Sequence, residues 1–278
     1  MRLLELFCGT KSVSKAVGGH FEEVVSVDIE SKFNPTICID ILLWDYKVYP
    51  PGYFNVVWAS PPCQEYSRLN FARPEKTPNL PHSDSMVQKA IEIIEYFNPD
   101  KFFIENPQTG MLKDREFMEF IPFIDVDYCR FSDWGYKKRT RIWTSSELES
   151  RLCLGRGKCP HMTGKYHNKA IGNHKHSPEY WVGKGKRLEQ RYSIPPLLIR
   201  YLFSWFLVLL NTFITPINIG LINSIFFIPI QKSRSIIAIA TKANIAFFTT
   251  ATQHTLTHIT IEMRVYFCLT LHAIHLLL

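Results

Sequence analysis

Five short apolar runs, at residues 2–6, 23–27, 36–39, 54–59 and 101–105, mark the first half of the chain. Runs of four to six residues that stay largely apolar suit strands buried on both faces, as in a parallel sheet. Between them lie helix-like segments, Lys11 to Val17 and Ser83 to Phe97. Strand and helix therefore alternate, which predicts an α/β fold: a mostly parallel sheet with helices on both faces. The stretch from Gln64 to Ser83 breaks this rhythm, because Pro74, Pro78 and Pro81 interrupt it and no apolar period is sustained. It predicts a loop that closes over a ligand, with the helix from Ser83 behind it.

The polar residues just after these runs carry the chemistry, since ligands in open α/β sheets bind at the carboxyl ends of strands. The fourth run leads into Ser60-Pro61-Pro62-Cys63-Gln64. Two prolines restrict the backbone that delivers the thiol, which makes Cys63 a placed nucleophile. A lone cysteine is ordinarily a buried structural residue, but Cys63 has company. Leu4-Glu5-Leu6-Phe7-Cys8-Gly9-Thr10 is a strand entering a glycine turn ahead of a helix, the layout of a nucleotide-type cofactor site. Asp28 follows Gly9 by nineteen positions, a spacing that reaches a ribose hydroxyl, and Asp40 closes the third run. The fifth run ends in Glu105-Asn106-Pro107, so Glu105 hangs from the edge that carries Cys63. Further on, Trp134 to Trp143 reads as a strand whose Arg139 and Arg141, two residues apart, share one face.

On these residues the chain resembles the cytosine-5 DNA methyltransferases that use S-adenosylmethionine. Phe7-Cys8-Gly9-Thr10 resembles the first motif of that family, Asp28-Ile29 its ribose-binding motif and Asp40-Ile41 its adenine-contacting motif. Ser60-Pro61-Pro62-Cys63-Gln64 with Ser67 resembles the nucleophile motif, Glu105-Asn106-Pro107 the Glu-Asn motif and Arg139-Thr140-Arg141 the Arg-x-Arg motif. Ile194 to Ile199 is similar to the last motif, whose helix returns beside the first, so order and spacing agree from Met1 to about Leu202. The resemblance implies a Rossmann-like methyltransferase fold with S-adenosylmethionine as cofactor, bound by Phe7, Cys8, Gly9, Thr10, Asp28, Ile29, Asp40, Ile41, Ser60 and Pro61. It implies that the Cys63 thiolate adds to carbon 6 of cytosine and makes carbon 5 nucleophilic. Glu105, desolvated in a pocket, then supplies the proton at ring nitrogen 3, while Arg139 and Arg141 orient the base carbonyl, a phosphate or Glu105. Because carbons 5 and 6 are hidden inside a duplex, the target base must be flipped out or unpaired. Gln64, Ser67, Arg68 and Arg73 of the loop, with Lys137 and Lys138, are the expected nucleic-acid contacts.

Charge sharpens the picture of the partner. Residues 1–129 hold 12 Lys and Arg against 19 Asp and Glu, whereas residues 130–200 hold 16 against 5, within a chain of net charge +7. The basic half reads as a phosphate-facing surface, with Tyr166, Tyr180, Trp181 and Tyr192 among its cations. The expected domains are a catalytic part at 1–143, a short basic target-recognition insert at 144–190 and a closing helix at 191–204. Within the insert Cys153, Cys159, His161 and His167 form a Cys-x5-Cys-x-His-x5-His array that offers zinc-type ligands at a spacing unlike a standard finger. A few histidines in a basic loop need no metal, and the catalytic chemistry requires none.

The chain departs from the family pattern in two places: Lys137-Lys138 stands where a Pro-Gln pair is usual, and Arg191-Tyr192 where Gly-Asn is. Residues 205–278 are apolar beyond the expectation for a domain end, and Tyr201 to Gln231 holds no charged residue. Such a span is long enough to cross a bilayer once, flanked by Lys232 and Arg234; a non-native tail is the other reading. Seven scattered cysteines read as reduced thiols of an intracellular protein, in the cytoplasm or nucleus, and Met1 to Leu6 leaves no room for a signal peptide. The functional expectation is a compact enzyme acting on duplex DNA. A transfer RNA cytosine-5 methyltransferase and a degenerate nucleic-acid-binding protein are the alternatives.

Overall fold

Leu3, Leu4, Glu5 and Leu6 are all buried, because β1 (Arg2–Leu6) lies at the middle of a seven-stranded sheet and is covered on both sides. The computed structural model describes residues 1–68, 77–169 and 192–204. These fall within the unit Met1–Thr212; the second unit, Phe213–Leu278, lies outside them. Strands β2 (Glu23–Asp28), β3 (Ile37–Cys38), β4 (Val56–Ala59), β5 (Lys101–Pro107), β6 (Phe123–Asp127) and β7 (Arg139–Thr144) complete the sheet in the order β3-β2-β1-β4-β5-β7-β6. The first five are parallel, and β7 runs antiparallel to both β5 and β6. Strand order reverses between β1 and β4, the place where parallel sheets open a crevice at their carboxyl ends.

Side-chain alternation sorts the core into two layers. Leu3, Val56, Trp58 and Phe103 point to a face covered by α1 (Ser12–Val17) and α3 (Pro196–Leu202). Leu4, Leu6, Val57, Ala59 and Ile104 point to the other face, covered by α2 (Leu80–Phe97). The expected mostly parallel sheet with helices on both faces is therefore present. Helix α1 has no side-chain cap of its own, since Lys11 sits in the left-handed region at φ 55°. Buried Glu5 of β1 takes over that task, accepting the Val13 and Ser14 amides at 3.2 and 3.1 Å and the Ser14 hydroxyl.

Differences from the sequence reading are local. Helix α2 starts three residues earlier than expected, because the Asn79 side chain accepts the His82 amide and Pro81 sits in the first turn. Strand β6 was not anticipated. Its outer edge is covered by Arg151, whose carbonyl accepts the Asp127 amide at 3.0 Å and whose amide donates to the Asp125 carbonyl at 3.2 Å. A small hairpin follows, β8 (Met162–Thr163) with β9 (Tyr166–His167). Among the described residues no helix is long and apolar enough to cross a membrane. From residue 205 onward the charge-free stretch lies outside the described residues, as do Arg73 and the aromatics Tyr180 and Trp181.

Phe203, fully buried at the end of α3, lies 5.2 Å from Phe103 and 6.4 Å from Trp58, centroid to centroid, with near-parallel rings. Phe203→Ala is expected to destabilise the fold by about 3–5 kcal/mol through lost burial and a residual cavity. Leu197→Ala on the exposed side of the same helix should stay within about 0.5 kcal/mol of the parent, as read from urea unfolding midpoints.

Candidate active site

The sheet brings the expected nucleophile and the expected acid to one edge. Strand β4 ends in Ala59, and the Ser60 amide still donates to the Leu6 carbonyl at 3.2 Å, so the chain leaves the sheet beside β1. The Ser60 hydroxyl accepts the Trp58 indole N–H at 2.8 Å, and the Pro61 carbonyl accepts the Asn106 Nδ2 at 2.9 Å inside the protein. These bonds and the two prolines hold the turn on which Cys63 stands half-buried. Downstream, the Met111 amide donates to the Tyr66 carbonyl at 3.0 Å, and a Cβ at Gly110 would come within 3.2 Å of the Pro107 carbonyl and 3.4 Å of that of Tyr66. Glycine lets the β5 exit and the nucleophile loop approach this closely without displacing either carbonyl.

Glu105 is buried, and its Oε1 lies 3.6 Å from the Lys138 ammonium. The buried Tyr128 hydroxyl makes a long contact of 3.5 Å to the same oxygen and accepts from Lys138 Nζ at 3.3 Å. Burial pushes the Cys63 thiol up from its ordinary value; Lys138 opposes that shift and Glu105 adds to it. The Cys8 thiol makes a useful contrast, because burial, reinforced by Glu5 and Asp28, pushes it up to about 12 and leaves it inert. Neither Lys138 as a partner of Glu105 nor Tyr128 was singled out for this role from sequence. Lys138 was expected only at nucleic acid.

Of the roles expected for Arg139 and Arg141, at the base carbonyl, a phosphate or Glu105, the structure does not bring them to Glu105. Arg139 makes two bonds to Asp127, Nε at 3.1 Å and Nη2 at 2.8 Å, and Arg141 makes two to Asp125, at 2.8 and 2.9 Å. Arg141 also stacks 3.5 Å from the Phe123 ring centre. The register explains this: Arg139 and Arg141 oppose Asp127 and Asp125, whereas Glu105 opposes Ile142, one position out of phase and so on the other face of the sheet.

At the first turn, Phe7 and Gly9 have φ of 54° and 45°, so the chain reverses sharply after β1. Asp28 braces that turn, accepting the Gly9 amide at 2.8 Å on one oxygen and the Glu30 amide at 2.9 Å on the other. Each oxygen keeps a further lone pair. Asp40 accepts the Leu42 amide at 2.9 Å, Ile29 is exposed, and Ile41, expected among the cofactor contacts, packs into the core. Thr10 meets Ser12 at 2.9 Å, and Ser12 Oγ accepts the Ile194 amide at 3.1 Å, so the closing segment does return to the first turn.

Around Cys63, Gln64 and Arg68 are exposed, whereas Tyr66 is buried. The Gln64 side chain donates to the Tyr192 hydroxyl at 3.1 Å, the Ser67 amide bonds the Gln64 carbonyl, and Arg68 forms an exposed pair with Asp114. Lys137 stands 3.8 Å from Asp127. In the insert, the thiols of Cys153 and Cys159 face His167, at 3.5 and 3.7 Å from Nε2. Cys129 completes that group in place of His161, which corrects the array read from sequence. Cys129 lies far upstream, in the turn after β6, so spacing within the insert gave no signal of it.

A thiol and a buried carboxylate at the carboxyl edge of a mostly parallel sheet, behind a glycine turn braced by an acid, give an α/β fold with a candidate enzyme site at that edge. The family described as C-5 cytosine-specific DNA methylase matches residues 1–149, and the chain belongs to that family. It is similar to a Frog virus 3 (isolate Goorha) protein named "Probable DNA (cytosine-5)-methyltransferase", with 40% identity over 216 residues, 72% of this chain and 97% of the relative. Among solved structures it is similar to the S. pombe Dnmt2 methyltransferase, with 16% identity, TM-score 0.39, and 54% and 52% of the two chains covered. It is also similar to the Entamoeba histolytica methyltransferase EhMeth, with 17% identity, TM-score 0.40, and 54% and 56% covered. The chain thus spans about half the length of these solved chains.

Lys138 and Glu105 act on Cys63 with opposite sign, which gives a test of the cluster. The thiolate is the reactive form, so reactivity rises with pH through the thiol pKa. Lys138→Met should slow alkylation of Cys63 about threefold or more near neutral pH and move its pH curve upward; Glu105→Gln should move it downward. Mass-spectrometric alkylation rates at Cys63 across pH check this, and an unmoved curve in both variants refutes the coupling.

Proposed function

We propose that this protein is a compact DNA cytosine-5 methyltransferase that works through a covalent Cys63 adduct on a cytosine turned out of the helix. The observation that carries the reading is the delivery of Cys63 and Glu105 to one sheet edge, with Lys138 acting on both. The residues around the first turn fit S-adenosylmethionine by the chemistry of their donors. Asp28 and Asp40 stand at the ends of adjacent parallel strands and retain acceptor capacity for hydroxyl and amino donors. A Cβ at Gly9 would meet nothing nearer than 3.9 Å, so the turn is open at that point. When bound, S-adenosylmethionine supplies the methyl group in electrophilic form.

The protein's own residues do the rest. Cys63 attacks carbon 6 as the thiolate, forming the C–S bond while the ring's electrons move toward nitrogen 3. Glu105 meets that charge with a proton or a hydrogen bond at nitrogen 3, and Lys138 offsets the negative charge that gathers in the pocket. Once carbon 5 is methylated, its proton leaves to a base, the double bond reforms and Cys63 departs as thiolate. Arg139 and Arg141, held by Asp127 and Asp125, stiffen the strand that Lys138 leads into. Gln64, Ser67, Arg68, Arg73 and Lys137 are the contacts to duplex DNA in this reading, with 144–190 as the recognition insert of a catalytic part at 1–143 closed by 191–204. A thiol nucleophile with free cysteines throughout the described residues suits a reducing, intracellular setting.

Trapping on duplex DNA containing 5-fluorocytosine tests this reading, because fluorine at carbon 5 blocks the final elimination. With S-adenosylmethionine present, the full chain should form a covalent adduct that Cys63→Ala abolishes, and Glu105→Gln should slow adduct formation by about 10²–10⁴. Binding of the duplex without an adduct would instead mark a degenerate binding protein, and an adduct on transfer RNA alone would move the substrate to RNA.

A further inference from the structure

Three cysteines and one histidine converge on a point far from Cys63 in function, and nothing in the methylation chemistry uses them. We propose that Cys129, Cys153, Cys159 and His167 bind a single structural zinc ion that fastens the recognition insert to the edge of the catalytic sheet.

The donor atoms all lie within 4.8 Å of one another. Zinc–sulfur and zinc–nitrogen bonds of about 2.3 and 2.0–2.1 Å, opened at a tetrahedral angle, set sulfur and nitrogen roughly 3.5–3.6 Å apart. Cys153 and Cys159 stand 3.5 and 3.7 Å from His167 Nε2, so these two pairs already have the spacing of a coordination shell. Three thiolates and one imidazole are also the donor set that selects zinc over magnesium or calcium.

Local sequence builds the site from three separate pieces. Cys129 comes from the catalytic part, in the turn Tyr128–Arg130 after β6, and is buried. Cys153 and Cys159 bracket a tight loop in which Gly155 and Gly157 take φ of 80° and 76°. The Gly155 amide points back at Cys153 Sγ at 3.4 Å, and its carbonyl accepts the Cys159 amide at 2.9 Å. An amide aimed at sulfur is the kind of outer hydrogen bond that orients a metal ligand. His167 arrives on the β8–β9 hairpin, turned by Gly164 at φ 62°. The Cys153 amide in turn donates to Asp127 Oδ2 at 2.7 Å, the carboxylate that also holds Arg139. A metal here joins the insert to the strand pair carrying Lys138, and a loop-rich segment with little core gains the cross-link it lacks.

Metal analysis of the full chain, purified without added zinc under reducing conditions, tests the site. About one zinc per chain is expected, displaced stoichiometrically by a mercurial thiol reagent. Cobalt exchanged into the site should give tetrahedral d–d bands and a charge-transfer intensity matching three thiolates. Cys129→Ser should lose most of the bound metal or the third-thiolate intensity, whereas His161→Ala should keep both. A metal-free wild type, a cobalt spectrum of two thiolates or fewer, or His161→Ala losing the metal would each overturn the proposal. The wild-type metal count and cobalt spectrum decide the matter even if Cys129→Ser fails to fold. Mapping of a disulfide within the freshly purified, unreduced protein would assign the thiols to a redox pair instead. None of these readouts depends on methylation, so they stand or fall apart from the enzyme reading.

Discussion

One buried hydrogen bond, from the Asn106 amide to the Pro61 carbonyl, joins the two strand ends on which the site depends. Cys63 and Glu105 come from different strands, and parallel neighbours share no turn that would set their relative height. Backbone pairing of β4 with β5 fixes the register only as far as Ala59 and Ile104. Beyond that point the chains diverge, and Asn106 carries the alignment two residues further, to the proline pair itself. The close approach at Gly110 does the same from the other side of the loop. The spacing between Cys63 and Glu105 is therefore a property of the frame, set by backbone pairing and the Asn106–Pro61 bond.

Charge is arranged around that frame with a clear division between faces. Asp127 is wholly buried yet ionised: burial alone would raise its carboxyl, but the Arg139 guanidinium, the Cys153 amide and Lys137 outweigh it and hold it below the usual range. Its stabilising effect is present above the ordinary aspartate pKa and fades as pH falls through the lowered one. On the opposite face, Lys138 is the cation that Glu105 and Cys63 feel. The two positions where the chain departs from its family's pattern, Lys137-Lys138 and Arg191-Tyr192, both touch this region, through Lys138 at Glu105 and Tyr192 at Gln64.

How far the sequence could be read follows from the range of the interactions involved. Strands β1, β2, β4 and β5 were legible because burial on both faces makes them largely apolar, and the nucleophile turn because two prolines in a row before a cysteine restrict the backbone there. Strand β6 was not, since Phe-Ile-Asp-Val-Asp alternates like many exposed loops and its aspartates make sense only opposite Arg139 and Arg141. The same register decided which face those arginines take, and a shift of one residue would have put them beside Glu105. Cys129 escaped notice for the corresponding reason: its partners are close in space and distant along the chain. Helix α1 was found, but its cap was not, because a carboxylate from β1 supplies it.

The stacking of Phe203 between α3 and the sheet also has a meaning in time. Trp58 and Phe103 emerge early in synthesis, while the ring that covers them comes near the end of the domain, and the Gln64–Tyr192 bond spans 128 positions. At translation speeds of about 5–20 residues per second, one face of the sheet waits on the order of ten seconds for its lid. During that interval the nascent chain leaves an aromatic surface uncovered, and the Gln64–Tyr192 bond beside Cys63 cannot form until residue 192 has emerged.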